Sequence, residues 1–116
     1  SELLEVKPSL VLGLAAITDV ITYAIGQNSC QEATAAFLGG TQEERPEAFE
    51  EVQPGNFEVN SDTVLLYGAI DQIVPPSQAV LSGATVLRHK NAGHFDWIHP
   101  GTDAFQAILS ILTGEL

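Results

Sequence analysis

An almost uninterrupted apolar run limits what this chain can fold into more than any other feature of its sequence. The run begins at Ser9 and ends at Ile17 (SLVLGLAAI), which is about the length of one strand. A strand with one face in water alternates apolar and polar residues, whereas a continuous run is typical of a strand buried on both faces of a parallel sheet. Two later segments, 63–68 (TVLLYG) and 84–89 (ATVLRH), are also rich in strand-forming residues. These segments predict a parallel sheet that helices cover.

Helix signals occupy the segments between and after these strands. The pattern SCQE at residues 29–32 is a capping box that opens a helix, and Gly39 ends that helix. TQEE at residues 41–44 is a second capping box, which leads into an acidic segment. The predicted helices cover residues 20–25, 29–38, 41–51 and 102–113, with a further short one after Pro75 and Pro76. This order of elements predicts an α/β fold, a small parallel sheet of about three strands flanked by helices.

The length of the chain indicates how the fold is organised. With 116 residues there is room for one hydrophobic core, so we expect a single domain over residues 1–116. Residues 19–60 lie between two predicted strands and are mostly helical.

Charge and cysteine content exclude several kinds of partner. Four basic and fifteen acidic residues give a formal net charge of −11. Because nucleic-acid binding requires clustered Lys and Arg, we expect no nucleic-acid partner, and the same repulsion disfavours anionic membranes. The apolar run is also far too short to span a bilayer. Cys30 is the only cysteine, so no intrachain disulfide can form. Since no signal peptide is visible either, we expect a cytoplasmic protein.

Two chemically capable side chains follow two of the predicted strands. Asp71 lies in the loop after residues 63–68, and His94 lies in the loop after residues 84–89. Functional groups gather at the carboxyl ends of parallel strands, so these side chains should lie close together. An Asp that accepts a hydrogen bond from an imidazole N–H fixes the ring tautomer, which leaves the other nitrogen free to act as a base. We therefore expect Asp71 to orient His94 and His94 to act as general base.

The segments around these residues resemble a known family. GAIDQIVPP (68–76) and NAGHFDWI (91–98) look like the acid loop and the histidine loop of α/β-hydrolase esterases, and the resemblance is strongest to the branch of carboxylesterases and kynurenine-formamidase-like enzymes. LGLAAITD (12–19) resembles the strand that follows the nucleophile-bearing helix. NSCQEATAAFLGG (28–40) and the acidic segment after it resemble the insertion before the acid loop, so the resemblance implies a helical cap-like insertion at about residues 19–60. The catalytic order in that family is Ser, then Asp or Glu, then His, so the resemblance implies catalytic roles for Asp71 and His94. The likeness covers essentially the whole chain but only the C-terminal half of the family's domain.

The sequence departs from the family where the nucleophile is expected. It contains neither the G-x-S-x-G elbow nor an HGGG-type oxyanion-hole motif, and the segment 77–83 is short. A base without a serine hydroxyl within hydrogen-bond reach performs no acyl transfer. Four other residues carry a hydroxyl or thiol that could substitute for the serine, but each has a structural interpretation. Ser29 is interpreted as a helix cap, Cys30 as a small, partly buried packing residue, and Ser77 and Ser82 as helix-start and turn residues.

Histidines and a carboxylate near the third strand raise the question of a metal site. Imidazole and carboxylate groups suit several divalent ions, but the spacing of these residues matches no metal motif. We therefore expect neither a metal nor a cofactor, and we expect Phe95 and Trp97 to be core anchors. The residues considered as ligands are His89, His94, His99 and Asp96.

Three hypotheses for function follow. In the first, the chain is an α/β-hydrolase-like half-domain that is not catalytic alone and forms a homodimer through the strand between Ser9 and Ile17, whose bare edge favours antiparallel pairing of two copies. In the second, it is an esterase or amidase, acting on a carboxylic ester or a formamide, that a separate or missing nucleophile-bearing half completes. In the third, it is a small-molecule binding module.

Overall fold

A three-stranded parallel sheet forms the centre of the molecule. The computed structural model describes residues 6–114, and its strands are β1 (Val11–Leu14), β2 (Thr63–Gly68) and β3 (Thr85–His89). Their order in the sheet is β1-β2-β3, and both pairings are parallel. The predicted α/β fold with a small parallel sheet is therefore confirmed.

The first strand is shorter than the apolar run that predicts it. Of residues 9–17, only Val11–Leu14 are extended and paired with β2. Ala15 has a φ of 50°, in the left-handed region that L-residues rarely adopt. Because this conformation turns the backbone away from the strand direction, the rest of the run forms the loop that leaves β1.

Three helices lie between β1 and β2. They are α1 (Val20–Ala24), α2 (Ser29–Leu38) and α3 (Pro46–Val52), and α1 contacts both of the others. A single 3-10 turn, Pro54–Asn56, then leads toward β2. None of the helices in the described part of the chain combines the length and the apolar character needed to cross a bilayer.

The start of α2 corrects one sequence prediction. The capping box forms one residue earlier than SCQE suggests: Asn28 is the N-cap and Gln31 is its partner. The side chain of Asn28 accepts from the Gln31 N–H, and the side chain of Gln31 accepts from the Asn28 N–H. Ser29 is therefore the first helical residue and not the cap. The predicted end at Gly39 is correct, and this residue is left-handed.

The second predicted capping box forms its hydrogen bonds without starting a helix. Thr41 and Glu44 exchange side-chain-to-backbone hydrogen bonds of 3.1 and 3.3 Å. The backbone N–H of Thr41, followed by its hydroxyl, lowers the pKa of the Glu44 carboxyl. The chain nevertheless continues as a turn, and α3 begins only at Pro46. The first helical position suits proline because its missing N–H has no helical partner there.

The largest core cluster lies between one face of the sheet and α4 (Asp103–Leu112). Trp97, in the 3-10 turn Asp96–Ile98, is almost fully buried in it, as predicted. Phe95, predicted as a second anchor, is exposed instead, because it precedes the turn and its ring lies against His94 and not in the core cluster. The buried members of the cluster are Ala15, Leu66, Ala92, Trp97, Ala104 and Ile108.

Candidate active site

The sheet brings the predicted acid and histidine together. Asp71 follows β2 and His94 follows β3, and these strands are adjacent and parallel. His94 Nδ1 lies 3.0 Å from Asp71 Oδ2. The expectation that the two side chains lie close together is confirmed, while their catalytic roles stay predictions.

Both carboxylate oxygens of Asp71 have hydrogen-bond partners. Oδ2 faces His94, and Oδ1 accepts hydrogen bonds from the N–H groups of Ile73 at 2.8 Å and Val74 at 2.9 Å. Only 7% of the residue is exposed. A carboxylate can only accept, so the His94 nitrogen that faces it carries the proton. In the neutral form of the imidazole, the lone pair of its other nitrogen, Nε2, is then available.

A glycine at the end of β2 permits the two loops to approach each other. A Cβ atom on Gly68 would lie 2.0 Å from the carbonyl oxygen of Ala92, which precedes the histidine by two residues. The same carbonyl accepts a hydrogen bond from Ile70 N–H at 3.3 Å. No side chain larger than hydrogen fits at this contact. The glycine of the GAID segment thus allows Asp71 to reach His94.

The histidine loop is closed by a carboxylate that sequence reasoning considered only as a metal ligand. Asp96 Oδ2 accepts a hydrogen bond of 2.6 Å from the N–H of Gly93. Phe95 packs edge-on against the His94 ring, with ring centroids 5.0 Å apart. The side chain of His94 is 25% exposed, and Nε2 has no hydrogen-bond partner among residues 6–114. The ring is fixed on one side and accessible on the other, as a general base requires.

The structure brings none of the alternative nucleophiles to this histidine. Within residues 6–114, Asp71 is the only hydrogen-bond partner of the His94 ring. Cys30 is exposed in the first turn of α2, which corrects the expectation of a partly buried residue. Ser77 lies in the 3-10 turn Pro76–Gln78. Ser82 lies in the turn that precedes β3, as predicted.

The residues considered as metal ligands do not converge. Among the residues that the structure describes, no group of three or more His, Cys, Asp or Glu side chains is placed to hold a metal ion. His99 accepts from the N–H of Gly101 at 3.1 Å. The ring of His89 lies edge-on to Trp97, with centroids 6.1 Å apart.

Gln78 is a structural residue of the site that sequence reasoning missed. It is 4% exposed and connects the loop after β1 to the segment after Asp71. Its Oε1 accepts from the N–H groups of Thr18 at 2.9 Å and Asp19 at 2.8 Å, and its Nε2 donates to the Asp19 carbonyl at 3.0 Å. The Thr18 hydroxyl donates to the Gln78 carbonyl. A glutamine shortly after two prolines is typical of a surface turn, so the local sequence does not indicate this role.

An apolar cavity of about 340 Å³ lies among the three helices that follow β1. Tyr23 lines it, and the hydroxyl of this buried residue donates a 3.0 Å hydrogen bond to the Ile73 carbonyl in the acid loop. Burial, followed by the nearby Cys30 and Asp71, raises the pKa of Tyr23 above its ordinary value. The hydroxyl therefore stays a donor. The cavity is lined by Ile17, Val20, Tyr23, Cys30, Ala33, Thr34, Phe37, Leu38 and Val52.

Comparison with known proteins does not show a family for this chain. No protein-family model matches the sequence, and no curated protein matches it. The resemblance to α/β-hydrolases therefore stays a prediction.

Proposed function

We propose that this chain supplies the acid–histidine half of an α/β-hydrolase-type active site. Asp71 orients the imidazole of His94, and Nε2 of that ring is the general base. The chain is inert as an acyl-transfer enzyme on its own. It becomes an esterase or amidase, acting on a carboxylic ester or a formamide, when a separate polypeptide or a further segment provides the serine and the oxyanion hole. We assign it to the cytoplasm, because an exposed free thiol such as Cys30 suits a reducing compartment.

The hydrogen bond between Asp71 and His94 carries this proposal. A chance surface pair seldom has a buried carboxylate whose second oxygen receives two backbone N–H bonds. This arrangement holds one oxygen toward Nδ1, fixes the tautomer and stabilises the imidazolium that forms when Nε2 takes a proton. It supports a base and not a nucleophile, because no hydroxyl or thiol of residues 6–114 hydrogen-bonds to the ring.

Hydrolysis of p-nitrophenyl acetate tests the proposal. We expect the isolated chain to show no turnover beyond that of an exposed imidazole. Turnover should appear when the chain is co-expressed with a G-x-S-x-G-bearing segment, encoded immediately upstream or in a neighbouring reading frame. In that complex, Asp71→Asn should lower kcat by roughly 10⁴, since it reverses the tautomer. His99→Ala is the matched control and should leave kcat unchanged. Activity of the complex that survives His94→Ala would refute the proposal.

We also propose that the chain self-associates through β1. In the described residues this strand is an edge of the sheet, and its four residues are apolar. The N–H group of Val11 donates to the carbonyl of Asp62, just before β2, and that of Ala15 donates to the carbonyl of Leu66, within β2. Because successive N–H groups of a strand point in opposite directions, those of Leu12 and Leu14 point to the open side of β1. The other edge strand, β3, contains Arg88, and a charged residue on an edge opposes pairing. A second copy paired at β1 would extend the sheet across a two-fold axis.

The cavity among α1, α2 and α3 favours a second candidate function, the binding of a small molecule. Its volume of about 340 Å³ is within the range of ligand pockets, and its lining has no charged side chain. A neutral aromatic compound suits it better than an anion, given the net charge of −11. Thermal shift with indole, and with benzoate as the anionic comparison, tests this function. Ala33→Phe, which fills the cavity, should abolish the shift with indole.

A further inference from the structure

Two side chains from the helical segment converge on one carbonyl of the acid loop. Tyr23 Oη, from α1, donates to the carbonyl oxygen of Ile73 at 3.0 Å. Asn28 Nδ2, at the start of α2, donates to the same oxygen at 3.0 Å. A carbonyl oxygen has two lone pairs, so these donors saturate it.

That carbonyl belongs to the peptide unit that holds Asp71. The peptide bond between Ile73 and Val74 is planar, and its C=O and N–H point in opposite directions. The N–H end of this unit, on Val74, donates to Asp71 Oδ1 at 2.9 Å. Fixing the C=O end therefore fixes the direction of the N–H end. Hydrogen bonding at the carbonyl also polarises the N–H and strengthens its bond to the carboxylate.

We propose that Tyr23 and Asn28 are positioning residues of the Asp71–His94 pair. They hold the 73–74 peptide so that its N–H keeps Asp71 turned toward Nδ1 of His94. This inference rests on the proposed function only in treating that pair as the base. On this account, α1 and the start of α2 help to select the tautomer of His94.

The side-chain chemistry of both residues fits this role and separates it from simple packing. Tyr23 is 2% exposed, so its ring would be buried with or without the hydroxyl. Asn28 uses Oδ1 to cap α2 through the Gln31 N–H at 2.8 Å, which leaves Nδ2 free for Ile73. Tyr23→Phe and Asn28→Ser therefore remove the two donors while they keep the packing and the cap, because serine caps helices as well as asparagine.

The test is the tautomer ratio of His94, measured by ¹⁵N NMR on the full chain at about pH 8.5, where an ordinary imidazole is neutral. In the unmodified chain we expect the ring proton on Nδ1. Tyr23→Phe and Asn28→Ser should each lower the ratio of Nδ1–H to Nε2–H by about fivefold, the factor typical of one hydrogen bond, and the double variant should lower it further. Tyr67→Phe and Asn91→Ser are the matched controls and should leave the ratio unchanged.

Two outcomes overturn the inference, and they are distinguishable. If Asp71→Asn reverses the tautomer but both donor variants leave it unchanged, Tyr23 and Asn28 only pack and cap, and the base half-site stands. If Asp71→Asn also leaves the ratio unchanged, the pair is not coupled, and the proposed function falls with this inference. If the double variant does not fold, the tautomer ratios of the single variants Tyr23→Phe and Asn28→Ser still distinguish these two outcomes.

Discussion

At the scale of single residues, the candidate site depends on groups that do no chemistry themselves. Gly68 provides the space in which two loop backbones meet, and Gln78 connects the loop after β1 to the loop after β2. The order of motifs in the sequence predicts the positions of Asp71 and His94, because each follows a strand. The roles of Gly68 and Gln78 could not be predicted, since they depend on contacts between segments that are distant in sequence.

Replacing Gly68 should separate the two loops. In Gly68→Ala the new methyl would collide with the Ala92 carbonyl, which is backbone and cannot rotate away. We expect the free energy of unfolding to fall by at least about 3 kcal/mol, which is the upper end of the usual cost of overpacking a core. Urea denaturation measures this loss. Gly55→Ala is the control, because nothing lies within 4 Å of the added atom. Equal stability of the two variants would contradict the close contact.

Removing the side chain of Gln78 should also be costly. Gln78→Ala leaves the N–H groups of Thr18 and Asp19 and the Asp19 carbonyl without their partner. Leaving one buried and two half-buried groups unpaired should cost about 3 kcal/mol of unfolding free energy in total. The exposed Gln72 offers the comparison, since Gln72→Ala should change stability by less than about 0.5 kcal/mol. Equal stability of Gln78→Ala and Gln72→Ala in thermal or chemical denaturation would count against the hydrogen-bond network around Gln78.

At the scale of elements, the sequence predicts some boundaries of helices and strands to the residue and misplaces others. The sequence predicts β2 to the residue, because the run ends where Gly68 begins the acid loop. It places the cap of α2 one residue late, since Asn28 and Ser29 are both competent caps and only the backbone conformation decides between them. It extends β1 into residues where the left-handed Ala15 ends the strand. Local patterns thus predict that an element exists better than they predict where it stops.

The start of α1 predicts a measurable dependence of stability on pH. Hydrogen bonds from the Thr22 hydroxyl, from the Gln53 amide and from the Thr22 N–H lower the pKa of the Asp19 carboxyl below its ordinary value of 3.8. Because the folded-state pKa is depressed, this contribution to stability is present above the unfolded-state value and is lost as the pH falls through the folded-state value.

Asp19→Asn isolates this effect from the other carboxylates. Asparagine still caps a helix but does not titrate, so the wild type should be more stable than the variant at neutral pH. The difference in unfolding free energy should shrink as the pH falls below about 4. Denaturant titrations of both proteins over this range measure it. A difference that stays constant with pH would show that Asp19 acts through its shape and not through its charge.

At the scale of the whole molecule, the predicted parallel sheet is present and its two edges differ. The sequence predicts the parallel sheet because each segment is apolar enough to be buried and the connecting segments are helical or long. It cannot say what lies beside β1, since pairing partners outside the described residues leave no local signal. The two edges nevertheless offer a matched pair of positions, Leu14 on β1 with 37% exposure and Val86 on β3 with 40%.

Substitution at these positions tests self-association. Size-exclusion chromatography with light scattering at micromolar concentration should give a dimer for the wild type. Leu14→Lys should give a monomer, because a charge on an edge strand opposes pairing. Val86→Lys adds the same charge at a similar exposure on the other edge and should stay dimeric. A monomeric wild type, or dissociation by Val86→Lys alone, would exclude β1 as the interface.

The order of the strands also has a consequence during synthesis. β1 leaves the ribosome before β2, and the strand that pairs with Val11–Leu14 begins only at Thr63, after all three helices. At ordinary translation rates that interval lasts roughly 3–10 s. For this time β1 lacks the only strand that pairs with it among residues 6–114. β2 and β3, by contrast, are separated by less than half that length of chain. The nascent polypeptide is therefore most exposed to aggregation, and most dependent on chaperones, before its second strand is translated.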